Sequence, residues 1–388
     1  MRVPDYFIFS LLKEQEAKVR RQLEDKILEV STGRKVRSIS DEPNVTFNVI
    51  SLKKEVAQLS QYSKNRLFSD TYLAYTDFTL GKMEDLLKGA YSNVVRAKNS
   101  ATLTPQELKA TADGMYATLK ALLDRANDKL GQVFVFSGTD LERRPFDETT
   151  LDYVASPQDF QVWISDSTSI PTVLSGGEVF YTSSTLSKAT YLSPTQSFTS
   201  SGTITITVGA TTVNISYGAQ NQPQSIEELA SYMNASYGNL LGALVSQNPD
   251  GSYSLLIYSK DPSSKLTLSA TGELSVGFQD TNVLQAVKRV ADKLSSGLYP
   301  DESDLFLIER SYSTVSAWRA KVGSVLAVVR NMQDLQENSM DILQARKSDL
   351  EDADLPQSVL EYTRYRIAYE ALMRIVADQK DLTILRYI

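Results

Sequence analysis

Few residues of this chain could carry out chemistry. It contains no Cys and no His, which removes thiolate and imidazole nucleophiles, the usual general base and the commonest metal ligands. Ser51 and Lys54 have the S-x-x-K spacing of penicillin-recognising enzymes, but the Ser-Asp-Asn and Lys-Thr-Gly elements of those enzymes do not occur. Since the tetrad lies within a heptad pattern of apolar residues, a helix surface is the better interpretation.

An acidic run near the C-terminus offers oxygen ligands for a cation: Asp349, Glu351, Asp352 and Asp354. An EF-hand loop needs a turn glycine and a Glu at its twelfth position, and both are absent. The run is better interpreted as a helix break with solvated caps. We therefore predict no catalytic residue, no cofactor and no metal site.

One dense group of aromatic and acidic side chains leaves a ligand site open as an alternative: Asp159, Phe160, Trp163 and Asp166. If they converged on one concave face, they would favour a secreted enzyme or adhesin whose β domain binds a ligand on a helical stalk. The sequence does not determine whether they converge.

Charge is distributed unevenly along the chain. Residues 151–280 hold three Lys, no Arg and ten Asp or Glu, so their net charge of -7 equals that of all 388 residues. The flanking segments are neutral with mixed signs, which favours side-by-side packing of helices. Basic pairs such as Arg20-Arg21 are short and scattered, so no nucleic-acid partner is predicted. No apolar run approaches the ~20 residues of a membrane span, and Pro4, Asp5 and Ser10 interrupt a possible signal peptide.

Apolar residues recur every three or four positions near both ends of the chain. The N-terminal stripe contains Ile8, Leu12, Val19, Leu23 and Ile27, and the C-terminal stripe contains Val359, Tyr362, Tyr369, Met373 and Val376. Such spacing presents a seam to another helix. We predict that these ten residues are an assembly interface, and that the seams lack a partner in the monomer.

Capping signals predict where the helices begin and end. Gly33 should end the first helix, Asp41 and Pro43 should begin a second one reaching about residue 97, and the capping box at Thr104 should open a third that closes at Gly131. Alternation predicts strands at 202–208, 212–217, 253–258 and 265–268, with a short helix from Ser225. Helices resume at 283–298 and from 303, with a break at 349–356 and Asp354 as N-cap.

These elements predict an α+β protein. The N- and C-terminal segments form a long antiparallel helical bundle or coiled coil, and a β-rich domain is inserted between them. The predicted division has three parts. Residues 1–40 and 357–388 are coiled-coil assembly segments. Residues 41–150 and 281–356 form a long-helix bundle that includes a small β-hairpin near 133–147, and residues 151–280 form the β-rich domain.

Motifs at both ends of the chain are in register with a known family. They are Glu29-Val30-Ser31-Thr32-Gly33-Arg34-Lys35-Val36 followed by Ser40-Asp41-Glu42-Pro43, the segment 132–138 ending in Phe136-Ser137-Gly138 with Pro145-Phe146 downstream, and Ser348-Asp349-Leu350-Glu351-Asp352-Ala353-Asp354. They resemble the flagellin superfamily and, in the Phe-Ser-Gly and Pro-Phe elements, its hook-associated junction branch. Thr32 and Glu42 depart mildly from the Ser and Asp of that pattern. Residues 203–261 resemble the hook IN module of the same superfamily.

The resemblance implies a non-enzymatic structural adaptor of the bacterial flagellum that joins the hook, through hook-associated protein 1, to the flagellin filament. It further implies a ring of copies packed through their terminal helices, export through the flagellar type III apparatus with an export chaperone, and an extracellular location in the motility organelle. A short flagellin filament subunit is the alternative within the superfamily.

Overall fold

The computed structural model describes residues 3–35, 43–99, 103–262 and 264–384, with side chains left out at 3–6, 8, 9 and 379–384. Within these ranges the helices are α1 (Val3–Thr32), α2 (Pro43–Asn99), α3 (Pro105–Ala126), α4 (Gly176–Val179), α5 (Ile226–Tyr237), α6 (Val283–Ser295), α7 (Glu302–Glu351) and α8 (Leu355–Ile384). The strands are β1 (Lys129–Leu130), β2 (Val133–Phe134), β3 (Phe160–Trp163), β4 (Ser169–Val173), β5 (Tyr181–Ser187), β6 (Gly202–Val208), β7 (Thr211–Tyr217), β8 (Leu241–Gln247), β9 (Tyr253–Ser259), β10 (Leu266–Ala270) and β11 (Phe278–Asn282). The predicted α+β class, with long terminal helices and an inserted antiparallel sheet region, is confirmed.

The chain divides into two compact units. One consists of residues 1–63 and 333–388, and the other of residues 64–332. The three-part division drawn from the sequence stays a prediction.

Local signals account for several helix ends. Thr104 forms the expected capping box with Glu107, and Ser225 accepts a hydrogen bond from the backbone N–H of Glu228 at the start of α5. The third helix, however, ends at Ala126, so its expected end at Gly131 is wrong. Gly131 has a φ of +65° and lies in the turn between the paired strands β1 and β2, where glycine adopts the left-handed conformation without steric cost.

Two antiparallel sheets enclose the core of the inserted region. Their strand orders are β10-β6-β7 and β11-β5-β9-β8. The alternating residues of β6 explain why its bounds follow from the sequence: Ile204 and Ile206 are fully buried, while the threonines between them face outward. No alternation in the sequence marks β5, because Thr182 to Thr185 are buried on both sides of the strand.

A buried ion network joins this sheet region to two helices of the same unit. Lys293 on α6, with no exposed surface, places Nζ 2.6 Å from Oδ2 of Asp304 and 2.8 Å from Oδ2 of Asp301. Arg289, one turn earlier, donates to the carbonyl of Gln247 on β8 at 2.7 Å. Burial opposes ionisation of Asp301, but Lys293, together with hydrogen bonds from Ser303 and the backbone N–H of Gln247, outweighs it and lowers the pKa of Asp301 to about 2. The network therefore holds opposite charges together inside the fold, which is tolerable only because each has a partner.

Removing Lys293 should destabilise the unit at 64–332 strongly. Lys293→Met leaves the buried carboxylate of Asp304 without its nearest cation, so we expect a loss of about 3–5 kcal/mol in the free energy of unfolding. Chemical denaturation followed by fluorescence measures it, because both tryptophans, Trp163 and Trp318, lie in this unit. The control is Arg144→Ala, whose pair with Glu148 is exposed and should cost less than about 1 kcal/mol. Equal, small effects of the two variants would contradict a structural role for the network.

Candidate functional site: the junction of two helix breaks

The two helix breaks of the unit formed by 1–63 and 333–388 lie side by side. The backbone N–H of Lys35 donates to the carbonyl of Glu351 at 2.8 Å, and that of Ala353 donates to the carbonyl of Gly33 at 2.9 Å. Between them Arg34 and Asp352 form an antiparallel bridge. Gly33, with a φ of +69°, lets the chain leave α1 in the required direction. The segment after α1 is thereby fixed against the segment before α8.

Glu351 supplies the electrostatics of this junction. The side chain of Glu351 is 3% exposed, and its Oε1 lies 2.7 Å from Nζ of Lys53 on α2 and 3.2 Å from Nε of Arg34. Among the described residues, Oε2 is buried without a hydrogen-bond partner. The prediction that the acidic run is solvated is therefore wrong for Glu351, because the N-terminal segments cover it and provide two cations.

Of the other acidic residues of the run, Asp354 serves as a cap. Asp354 accepts a hydrogen bond from the backbone N–H of Gln357 at 3.1 Å, as expected for the N-cap of α8. Asp352 accepts one from Ser348, and Asp349 is exposed on α7. Of the N-terminal motif, Ser31 donates to the carbonyl of Leu28 at 3.0 Å. No group of residues suited to a metal ion occurs within the described ranges.

The helices on either side of the junction pack against each other, α1 on α8. Lys26 on α1 places Nζ 2.8 Å from Oε2 of Glu361 on α8, and Ser358 on α8 donates to Oε1 of Glu29 at 2.7 Å. Burial would raise the pKa of Glu29, but hydrogen bonds from Lys26 and Ser358 outweigh it and lower that pKa. Glu29 therefore stays ionised at neutral pH and binds both partners.

The burial pattern identifies which faces of α1 and α8 meet. On each helix, buried or half-buried residues recur at alternating spacings of four and three. On α1 they are Leu12, Glu16, Val19, Leu23, Lys26 and Val30. On α8 they are Ser358, Tyr362, Tyr365, Tyr369, Leu372 and Val376. This spacing is that of a coiled-coil seam. The expectation that the terminal seams lack a partner in the monomer is therefore wrong.

The predicted assembly residues divide between two kinds of position. Leu12, Val19 and Leu23 on α1, and Tyr362, Tyr369 and Val376 on α8, occupy the half-buried positions. Three others are exposed: Ile27, Val359 and Met373, at 45%, 45% and 44%. The side chain of Ile8, and the motif residue Asp41, lie outside the described residues, and Pro43 begins α2.

The Phe-Ser-Gly and Pro-Phe motifs lie in the core of the other unit. Phe136 and Phe146 each contact Phe180 edge-on, with ring centroids 5.1 and 4.9 Å apart. All three side chains are at most 1% exposed. The aromatic residues of the motif therefore hold the start of the β-rich region by packing.

The small residues of the same motif permit close backbone approach. Gly138 has a φ of +63°, and a Cβ there would lie 2.3 Å from the carbonyl oxygen of Gln158, so only glycine fits. Ser137 is buried and donates to the carbonyl of Phe134 at 3.0 Å. The carbonyl of Pro145 accepts a hydrogen bond from the backbone N–H of Val154 at 2.8 Å. These contacts assign the motif a role in folding.

The possible ligand group is largely used by the fold. Asp159 accepts the backbone N–H of Ser175 at 2.7 Å, and the carbonyl of Trp163 accepts a hydrogen bond from Asn65 at 2.7 Å. The Trp163 ring is 55% exposed on β3, whereas Phe160 is half-buried. These contacts give no support to the ligand-binding alternative.

Comparison with protein families finds a match to the N-terminal third of the chain. Residues 10–139 match the model of the bacterial flagellin N-terminal helical region. This part of the chain is similar to the N-terminal helical region of bacterial flagellins.

The chain is also similar to flagellar hook-associated protein 3 of Escherichia coli K12, 26% identical over 153 residues that span 39% of this chain and 48% of that protein. The protein of the same name from Salmonella typhimurium is 28% identical over 126 residues, 32% of this chain and 39% of its own length. The match thus spans about half of these relatives or less. The crystal structure of flagellar hook associated protein-3 from Legionella pneumophila has the same fold, with a TM-score of 0.53, 15% identity, and coverage of 78% of this chain and 98% of that one.

The sequence missed the residues that make the junction, namely Arg34, Lys53, Glu351, Lys26, Glu29 and Ser358. A signal for two of them was present. Lys26 and Ser358 are polar residues at seam positions of the heptads, and polar residues at such positions often fix the register of paired helices. Glu351 had no such signal, because the cations that cover it are about 300 residues away along the chain.

Neutralising Glu351 should loosen the junction. In Glu351→Gln, Lys53 and Arg34 lose a charged acceptor, and we expect a local cost of about 1–3 kcal/mol. The amides of Lys35 and Ala353, which donate across the junction, should exchange with solvent faster in hydrogen-exchange measurements. Asp349→Asn, at an exposed neighbour, should leave both rates unchanged. Unaltered exchange in Glu351→Gln would show that backbone pairing alone holds the junction.

Proposed function

We propose that this chain is a structural adaptor of the bacterial flagellum that joins the hook to the filament. The match of residues 10–139 to the bacterial flagellin N-terminal helical region and the similarity to proteins named flagellar hook-associated protein 3 support this assignment. The observation that carries it is a second apolar face on α8.

That face lies opposite the seam with α1. Its apolar residues, Leu360, Ile367, Ala371 and Ile375, repeat at helical spacing with Arg364 and Arg374 beside them, and the three large ones are 73%, 58% and 47% exposed. A helix that is apolar on two opposite faces needs two packing partners. One is α1 of the same chain, and the other is a helix of a neighbouring subunit.

The partners of this face follow from the assignment. We infer that copies of this chain form a ring, with hook-associated protein 1 on one side and flagellin on the other, and that burial of many such faces around the ring supplies the cohesion. The chain acts without catalysis, its role being mechanical attachment. It reaches this extracellular position by type III export with a chaperone, and residues 151–280 form the outer domain. No helix within the described ranges is both long and apolar enough to cross a membrane.

Two acidic substitutions on the outer face test the proposal. Ile367→Asp with Ile375→Asp would bury two unpaired charges between subunits, at a cost of a few kcal/mol each, while the α1 seam stays intact. In a bacterium lacking the native gene, we expect this variant to be exported but to leave hooks without filaments, with flagellin in the medium.

A matched control separates charge from position. Arg366→Asp with Ala377→Asp adds at least as much negative charge at exposed positions away from this face and should retain filaments. Attached filaments of normal length with the Ile367→Asp, Ile375→Asp variant would contradict the proposal. Many copies of the chain along each filament would instead favour the short-flagellin alternative.

A further inference from the structure

The strand β7 is an unusually bare sheet edge. It is the last strand in the order β10-β6-β7, and residues 189–226, which include it, carry no charged side chain. Its whole length pairs with β6 without a register shift. Natural sheets protect exposed edges with charges, proline, bulges or a covering segment, and β7 has none of the first three.

Another edge strand of the same region shows what a covering segment does. On the edge strand β8, Ala243 is covered by Asn234 of α5. The side chain of Asn234 donates to the carbonyl of Ala243 at 2.8 Å and accepts a hydrogen bond from the N–H of Ala243 at 2.9 Å. Asp301 accepts the backbone N–H of Gln247 at 2.9 Å. By contrast, within the described part of the chain the backbone of Thr211–Tyr217 makes no hydrogen bond outside its ladder with β6. Its outer row of donors and acceptors is available to another strand.

We propose that β7 pairs with β7 of a second copy of this chain, antiparallel and with Asn214 opposite Asn214. This register places Val213 opposite Ile215 on the face toward the core, where Ile215 is buried and Val213 packs against the core. It places Thr212 opposite Ser216 on the exposed face. The strand is therefore self-complementary: apolar side chains meet apolar ones, hydroxyls meet hydroxyls, and no charges oppose each other.

The contact is two-fold and joins the two sheets into one. A ring needs head-to-tail contacts, whereas an isologous strand pair closes on itself. The β7 contact is thus separate from the α8 face, and either can fail without the other.

Disulfide trapping tests the register directly. The chain has no Cys, so Asn214→Cys introduces a single thiol. Residues directly opposite in an antiparallel pair have Cα atoms about 4.5–5.5 Å apart, within the range of a disulfide. Under mild oxidation the full-length Asn214→Cys protein should form a covalent dimer. The control Ser269→Cys, at an exposed position on the opposite edge strand β10, should stay monomeric. Failure of Asn214→Cys to cross-link, or equal cross-linking of both, would overturn the proposal.

Charge substitutions give an independent readout. In the double variant Thr212→Lys, Ser216→Lys, each lysine of one copy lies opposite a lysine of the other copy. The double variant Thr212→Glu, Ser216→Glu places glutamates opposite each other in the same way. Each variant alone should weaken self-association in sedimentation by roughly tenfold, and an equimolar mixture of the two should restore it. Association that persists unchanged in both variants would show that the copies meet elsewhere, for example through their terminal helices. A mixture that fails to recover would also overturn the pairing.

Discussion

The buried carboxylate of Glu351 is the constraint on which the arrangement of the terminal helices depends. An ionised carboxylate removed from water is costly unless cations and hydrogen bonds replace its hydration. Here the cations come from Arg34 and Lys53, far away along the sequence, so Glu351 can be buried only when the N-terminal and C-terminal segments are brought together. The backbone hydrogen bonds at Lys35 and Ala353 then fix the direction in which α1 and α8 leave the junction.

Pairing of α1 with α8 changes how α8 can serve an assembly. If α8 had a single apolar face, pairing with α1 would bury it and leave no surface for assembly. If that single face were left unpaired, the monomer would expose it and be prone to aggregate. In α8 the tyrosine-rich face with Tyr362 and Tyr369 is half-buried, whereas Leu360 and Ile367 remain exposed on the other side. The monomer can thus be ordered and still offer a surface to a neighbour.

The sequence predicted this architecture well where the signal is local or periodic. The bounds of β6 follow from its alternation, and the N-caps at Thr104, Ser225 and Asp354 follow from their spacing to the next polar residue. The heptad of α8 was visible, but periodicity states only that a face is apolar, not which chain covers it. Tyr362 and Met373 were therefore assigned to one interface, although the first is half-buried and the second is exposed. Glu351 and Lys293 were missed because their partners come together only in the folded chain.

A distance between the terminal helices of the dilute monomer tests the central claim, that α1 and α8 pair within one chain. Because the chain has no Cys, spin labels can be placed at Glu14→Cys and Met373→Cys. Both positions are exposed. Lys26 contacts Glu361 and Glu29 contacts Ser358, and the same antiparallel alignment, continued along the helices, places position 14 level with position 373. Electron spin resonance of the doubly labelled protein should give a short, narrow distance distribution, as expected for helix axes about 8–10 Å apart. A broad distribution like that of an unpaired chain would contradict the account.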